Sequence, residues 1–212
     1  MLFSIVTVTY NSEKTLKRTI NSLLYQNYLN FEYILIDGSS SDTTIEIIKS
    51  YEVAFKKRNI NYTWISEKDT GIYDAFNKGI KLAKGNWISF LGSDDYYIED
   101  ALESYKNEIE KQNEELDFIH SIVKVEEKKV IKDKWGWKEF RKSMNVAHVG
   151  AFHNRNYFNK HGVYDTNYKI AGDYELLLRA KENLKTHWFR KVTAIMGDGG
   201  VSNKQIKNVY LD

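Results

Sequence analysis

The 212-residue chain has no cysteine and no proline. Without cysteine, disulfides and thiolate metal sites are excluded. The missing proline accompanies an abundance of Lys, Asn and Ile and is a compositional bias with no functional reading. A charge excess is lacking as well: 31 basic against 29 acidic side chains leave +2, whereas nucleic-acid-binding domains carry a strong basic excess. Nucleic acid is therefore not an expected partner. No apolar run approaches the roughly 20 residues of a membrane span. Met1 to Val8 has neither a basic leader nor a small-residue cleavage site, and predicts a first strand rather than a signal peptide. What is present is a 42% hydrophobic fraction, enough for a substantial core, in one domain or one domain with an extension. Aromatics reach 14%, with 15 Tyr and 5 Trp, which suits a sugar or nucleoside binder.

The first half alternates strand and helix patterns. Leu2 to Thr9 is apolar and β-branched. Ser12 is placed to cap a helix running to about Tyr25, with Leu16, Ile20, Leu23 and Leu24 on one stripe. Phe31 to Ile36 predicts a second strand. Asp42 is placed to cap a helix carrying Ile45, Ile47, Ile48, Tyr51 and Phe55. A short strand, Tyr62 to Ser66, precedes a helix from Gly71 to Leu82, with Gly79 allowing close packing and Gly85 as its stop. This spacing implies βαβ units and a mostly parallel sheet. The second half is less regular. It predicts a helix over Ala101–Asn113, antiparallel strands over Asp117–Val123 and Lys128–Ile131, a strand over Val149–Phe152 and a helix over Gly172–Glu182. The halves, residues 1–96 and 97–212, meet near residue 96 and are expected to form one domain.

The most informative segment is Asn86 to Asp95. Ile88 to Leu91 predicts a buried strand that stops at Gly92-Ser93-Asp94-Asp95. Adjacent carboxylates repel, and a divalent cation removes that cost. Hard oxygen ligands suit Mg²⁺ or Mn²⁺, which usually arrive with substrate phosphates. Open α/β sheets bind ligands just beyond the carboxyl ends of their strands. A turn with an Asp helix cap is the alternative.

Three segments together carry a resemblance. They are Val6–Ser12 with Asp37–Thr44, then Ser66-Glu67-Lys68-Asp69-Thr70-Gly71-Ile72-Tyr73-Asp74-Ala75-Phe76-Asn77-Lys78-Gly79, then Gly92-Ser93-Asp94-Asp95. Together they resemble a family-2 glycosyltransferase of the glycosyltransferase-A fold. That fold implies an α/β, Rossmann-like, mostly parallel sheet flanked by helices, with a small antiparallel and helical extension on the acceptor side. By this resemblance Thr9, Tyr10 and Asn11 line the nucleoside pocket and Asp37 hydrogen-bonds the base, with a turn or cap acid as its alternative. Asp69 opens the helix beside the nucleotide, or is structural at its N-terminus, and Lys78 faces phosphate or solvent. Asp95 coordinates Mn²⁺ or Mg²⁺, with Asp94 reaching the ribose or the ion. Asp173 matches the catalytic base, although many relatives carry Glu-Asp where this chain has Gly172-Asp173; an N-cap is its alternative. Arg179 fits a structural ion pair. His148 matches a histidine near acceptor or diphosphate, and His153 alternates onto the opposite strand face. The glycine-rich segment Met196 to Ser202 resembles a loop closing over the donor diphosphate.

The activity so implied is inverting transfer of a sugar, from a UDP-sugar by preference, to a glycan or polyprenyl-diphosphate-linked glycan in surface polysaccharide biosynthesis. Two other readings share the fold. A sugar-phosphate nucleotidyltransferase opens with a glycine-rich basic loop, and Thr9-Tyr10-Asn11-Ser12 has no glycine. A non-catalytic carbohydrate- or nucleotide-binding module needs none of the acids kept here. The basic, aromatic stretch from Lys124 to Lys142 suits an anionic membrane surface. The expected location is the cytoplasm, or the inner face of the cytoplasmic membrane.

Overall fold

A computed structural model describes residues 2–126, 129–131 and 133–197. The first half runs β1 (Phe3–Thr9), α1 (Leu16–Leu24), β2 (Phe31–Asp37), α2 (Thr44–Ser50), α3 (Glu52–Lys57), β3 (Asn61–Ser66), α4 (Ile72–Leu82) and β4 (Trp87–Phe90). The second runs β5 (Tyr96–Tyr97), α5 (Ala101–Glu110), β6 (Phe118–Val125), β7 (Lys129–Ile131), α6 (Trp137–Phe140), β8 (Ala151–Asn154), α7 (Arg155–His161), α8 (Gly172–Leu178) and β9 (Thr186–Met196). Among the described residues these strands form one sheet in the order β3-β2-β1-β4-β8-β6-β9-β5, with β7 paired to β6. The pairs β1–β2, β2–β3, β1–β4 and β6–β9 are parallel, while β8 is antiparallel to both β4 and β6. With β5–β9 and β6–β7 also antiparallel, the sheet is mixed: its first half, β3-β2-β1-β4, is parallel as the helix–strand alternation predicted, and the second half brings in the antiparallel pairs.

Strands inside a sheet covered on both faces are apolar throughout, and β2 (Phe-Glu-Tyr-Ile-Leu-Ile-Asp) is buried at every position. Its side chains divide by parity. Tyr33 and Leu35 join a core built with Leu16, Ile20, Ile48, Phe55 and Tyr105 from α1, α2, α3 and α5. Ile34 and Ile36 join a second core with Phe76, Tyr157, Phe158, Leu176 and Leu177 from α4, α7 and α8. Gly79 sets how closely α4 approaches β1, since a Cβ there would lie 2.3 Å from Val6 Cγ1.

Several boundaries differ from the sequence pattern. Ser12 does not cap α1: its carbonyl closes a turn by accepting from the Thr15 and Leu16 amides, and its hydroxyl pairs with Ser93. The helix after Asp42 is two helices broken at Tyr51, although the Asp42 carboxylate does accept from the Thr44 amide at 3.0 Å. Gly85 is not a helix stop; a Cβ there would lie 2.5 Å from the Phe3 carbonyl carbon, so it permits close approach to β1. Helix α5 ends at Glu110, and α8 ends at Leu178, followed by a 3₁₀ turn over Lys181–Asn183. Val149 lies in a 3₁₀ turn, His148–Gly150, ahead of β8, so strand alternation does not separate the two histidines. The His148 and His153 rings pack 5.5 Å apart in one aromatic cluster. Of the expected strand from Lys128, Lys128 lies outside the described residues.

His153 is fully buried against Phe90, Phe118 and Phe158. Burial first, then His148, holds its imidazole well below the usual histidine range. Burial also pushes His120 down to about 3. The unfolded chain therefore binds protons below about pH 6.5 that the folded chain refuses, and stability falls as pH falls through that range. Each such histidine contributes up to ~1.4 kcal/mol per pH unit. Urea midpoints between pH 7 and pH 4.5 should fall less steeply for His153→Leu than for the parent; identical slopes would contradict the assignment.

Candidate active site

The parallel strands deliver their C-terminal residues to one edge, where Thr9, Asp37 and Ser66 stand side by side in register. Thr9 is buried at the end of β1, while Tyr10 projects with 64% of its surface exposed. Asn11 (φ 48°) and Ser39 (φ 63°) adopt left-handed backbone, which costs a non-glycine residue of order 1–3 kcal/mol. Cross-links hold that conformation. The Asn11 amide donates to Ser40 Oγ at 2.8 Å, and the Ser41 amide donates to Asn11 Oδ1 at 2.9 Å.

Asp37 is fully buried. Its Oδ2 accepts from the Ser40 amide at 2.9 Å and from Ser66 Oγ at 2.7 Å, and its Oδ1 accepts from Ser40 Oγ at 2.5 Å. It is a turn acid tying β2 to β3, with lone pairs to spare for a base edge. Asp69 reaches the same place: its Oδ1 accepts from the Gly71 amide at 3.1 Å, and its Oδ2 lies 2.6 Å from where a Gly38 Cβ would stand. A side chain at Gly38 would therefore displace the Asp69 carboxylate from this position. Burial raises the Asp69 carboxyl above its usual range, partly offset by the Gly71 amide and Lys78. Lys78 is largely turned away from open solvent. It bonds the Lys68 carbonyl at 2.8 Å and pairs with Glu67 at 3.0 Å and Asp74 at 3.6 Å.

Beyond β4, Asp95 is 8% exposed. Its Oδ2 accepts from the Gly92 amide at 3.1 Å and its Oδ1 from the Gly197 amide at 2.9 Å. Burial, then the neighbouring Asp94 charge, pushes its carboxyl up to about 7 despite those bonds. Asp94 Oδ2 is buried without a hydrogen-bond partner. Arg18, on α1, bonds the Asp94 carbonyl at 2.9 Å and Glu126 at 3.3 Å rather than either carboxylate. Among the described residues no cluster of three or more His, Asp or Glu could enclose a cation. With hard carboxylate oxygens, one of them unpartnered, the acidic pair fits an ion that completes its shell with water and phosphate, as Mg²⁺ does.

Asp173 opens α8. Its Oδ1 accepts from the Tyr174 amide at 2.9 Å and lies 3.4 Å from the Tyr73 hydroxyl of α4. His148 is stacked on Phe90 at 5.2 Å and bonded to the Tyr164 hydroxyl at 2.8 Å. Burial lowers its imidazole, only partly offset by Asp173, so at neutral pH it is uncharged. Arg179 grips Glu175 with two bonds, 2.8 and 2.6 Å, in the structural role expected of it. Residues 198–202 of the glycine-rich segment lie outside the described residues. The sequence pattern did not point to Arg18, and although Ser66 and Gly197 fall in segments it singled out, it gave neither its partner: Ser66 bonds Asp37, and the Gly197 amide bonds Asp95.

The fold is shared with solved structures. Staphylococcus aureus TarS matches with a TM-score of 0.77 and 20% identity, over 100% of this chain and 39% of that one. Its residue 1–349 form in complex with UDP-GlcNAc gives a TM-score of 0.77 and 22% identity, covering 93% of this chain and 58% of that one. A Pyrobaculum calidifontis mannosyltransferase in complex with GDP-Man and Mn²⁺ gives 0.69 and 15%, over 91% and 56%. At these identities the likeness is one of fold, and this chain spans between about two fifths and three fifths of those chains. The chain belongs to glycosyl transferase family 2, whose model matches residues 4–174. A PGL/p-HBAD biosynthesis glycosyltransferase of Mycobacterium bovis is 29% identical over 99% of this chain and 82% of its own length. An uncharacterized glycosyltransferase of Mycobacterium tuberculosis is 30% identical over 84% and 68%.

The acidic pair makes a stability prediction. A carboxyl raised in the folded state favours folding below its unfolded value and loses that contribution as pH climbs towards about 7. Removing the Asp94 charge should shrink the loss. With chelator present at pH 8, Asp94→Asn should melt higher than the parent by roughly 2–4 °C, equivalent to about 1 kcal/mol. The gain should fade near pH 4; a variant that melts lower at pH 8 would contradict the repulsion.

Proposed function

We propose that the enzyme moves a glycosyl group, with inversion, from a nucleoside-diphosphate sugar to a hydroxyl of a glycan or polyprenyl-diphosphate-linked glycan acceptor. The observation that carries this reading is the adjacent pair beyond β4 of buried Asp95 and half-buried Asp94, whose Oδ2 is buried and unpartnered. Tyr10, Asn11, Thr9, Asp37 and Asp69 line the nucleoside end of the donor groove, and residues 97–212 supply the acceptor side. UDP is favoured because the TarS structures hold UDP and UDP-GlcNAc. A glycoconjugate acceptor is favoured by the mycobacterial relative's name.

Asp95 and Asp94 would hold Mn²⁺ or Mg²⁺, which when bound neutralises charge on the leaving diphosphate. Asp173 takes the proton of the acceptor hydroxyl. The freed oxygen pair forms the new bond to the anomeric carbon from the face opposite the diphosphate. The old anomeric C–O bond breaks, and its electron pair leaves with the nucleotide through an oxocarbenium-like transition state. His148, neutral and bonded to Tyr164, orients groups by hydrogen bonding rather than by charge. No helix among the described residues is long and apolar enough to cross a membrane. Exposed Lys138, Arg141 and Lys142 beside half-buried Trp137 suit peripheral contact with anionic lipid.

A melting-temperature panel of UDP-, GDP- and dTDP-sugars with Mn²⁺ should show a shift for one nucleotide class, since a ligand of the folded state stabilises it by mass action. The shift should vanish in Asp95→Ala. In Asp173→Asn it should persist while nucleotide release falls by roughly 10²–10⁴-fold. Near-parent turnover in Asp173→Asn would remove the base assignment, and a panel with no shift would remove the donor site. On vesicles containing phosphatidylserine, sedimentation should bring the protein down at low salt and release it at high salt; equal recovery in the supernatant at both would exclude the membrane contact.

A further inference from the structure

Helix α8 begins without a local cap: Ala171 offers no side-chain acceptor to its first amides. Those amides are satisfied from 99 residues away. The Tyr73 hydroxyl accepts from the Gly172 amide at 2.9 Å and from the Asp173 amide at 3.3 Å. Its single proton has two acceptors in reach, the Ile170 carbonyl and Asp173 Oδ1. Tyr73 is itself held: 4% exposed, stacked on Tyr164 at 5.2 Å, and tilted against Phe76. Gly172 makes the approach possible. A Cβ there would stand 2.7 Å from Tyr73 Cε2 and 2.8 Å from Cζ, distances real Cβ atoms do not tolerate from a buried ring.

We infer that Tyr73 is the positioning residue of Asp173: its hydroxyl anchors the first turn of α8 and sets where the Asp173 carboxylate points, with Gly172 as the space it requires. This rests on the reading of Asp173 as base. A backbone carbonyl, two amides and a carboxylate converge on one phenol oxygen, so a single atom ties together Ile170, Gly172 and Asp173. An error of ~1 Å in a reacting group can cost about 10²-fold in rate. The ring of Tyr73 serves the core, and its hydroxyl serves the turn; Tyr73→Phe separates the two, because the ring and its stacking on Tyr164 remain. Gly172→Ala attacks the same contact from the other side.

Tyr73→Phe should melt within a few degrees of the parent. Amide hydrogen exchange in the 171–174 segment should accelerate, a readout that needs no substrate. Release of UDP from UDP-N-acetylglucosamine or UDP-glucose with Mn²⁺ and water as acceptor should fall roughly 10–100-fold in kcat, with the donor KM within about twofold. In the Asp173→Asn background, Tyr73→Phe should cause no further fall, because residues acting as one unit are not additive. Gly172→Ala should reproduce the kcat loss. Unchanged exchange in Tyr73→Phe, full turnover, or losses that multiply in the double variant would each overturn the positioning role. If Asp173→Asn alone keeps parent turnover, it is the base assignment that fails, whatever the Tyr73 exchange result.

Discussion

Asp95 is a nearly buried carboxylate placed beside a second one, and no side-chain cation of the described chain bonds either of them. Two backbone amides, from Gly92 and Gly197, are what the chain supplies instead. They are not enough to cancel the burial and repulsion that lift this carboxyl to about 7. A fold keeps such a cost where it serves a ligand. The sheet is arranged to meet it: β4 ends at the pair, β9 reaches across to bring Gly197, and α1 lays Thr19 against the Asp95 carbonyl at 2.7 Å and Arg18 against that of Asp94. A divalent ion with a diphosphate would complete an electrostatic balance that the protein leaves open.

The Asp37 end of the same sheet edge works differently. There the carboxylate of Asp37 accepts from Ser40 and Ser66, and the left-handed Asn11 is pinned by bonds between the loops that follow β1 and β2. Those loops are held in place by the chain itself, so a nucleotide bound there as proposed would find little left to order. The two ends of the edge therefore differ, one hydrogen-bonded within the chain and the other left with an unpartnered carboxylate oxygen.

The βαβ half was legible in the sequence because its signals are local. Leu16, Ile20, Leu23 and Leu24 announce α1 by spacing alone, and the run from Ile88 to Leu91 announces the strand before the acidic pair. The second half was less so. Strand β9 carries Arg190 and Lys191 within its apolar alternation, which hid an 11-residue strand at the centre of that half. Short α7 was missed for want of a periodic stripe. At the site, the acids could be located by motif, but their partners could not. Ser66 acts on Asp37 across 29 residues and Tyr73 on Gly172 across 99, and no periodicity encodes contacts between side chains that distant. The stiffness of the Asp37 loops and the dependence of α8 on Tyr73 are properties of the folded sheet alone.

The central claim is that the acidic pair beyond β4 receives the cation and diphosphate of a sugar nucleotide. Crystals grown with UDP and Mn²⁺, measured near the manganese absorption edge, test it most directly. The account predicts an anomalous peak within coordination distance, roughly 2.0–2.6 Å, of a carboxylate oxygen of Asp95 or Asp94, with the diphosphate on its far side and uracil beside Asp37. A peak held by other residues, or UDP bound with its diphosphate away from the pair, would contradict it.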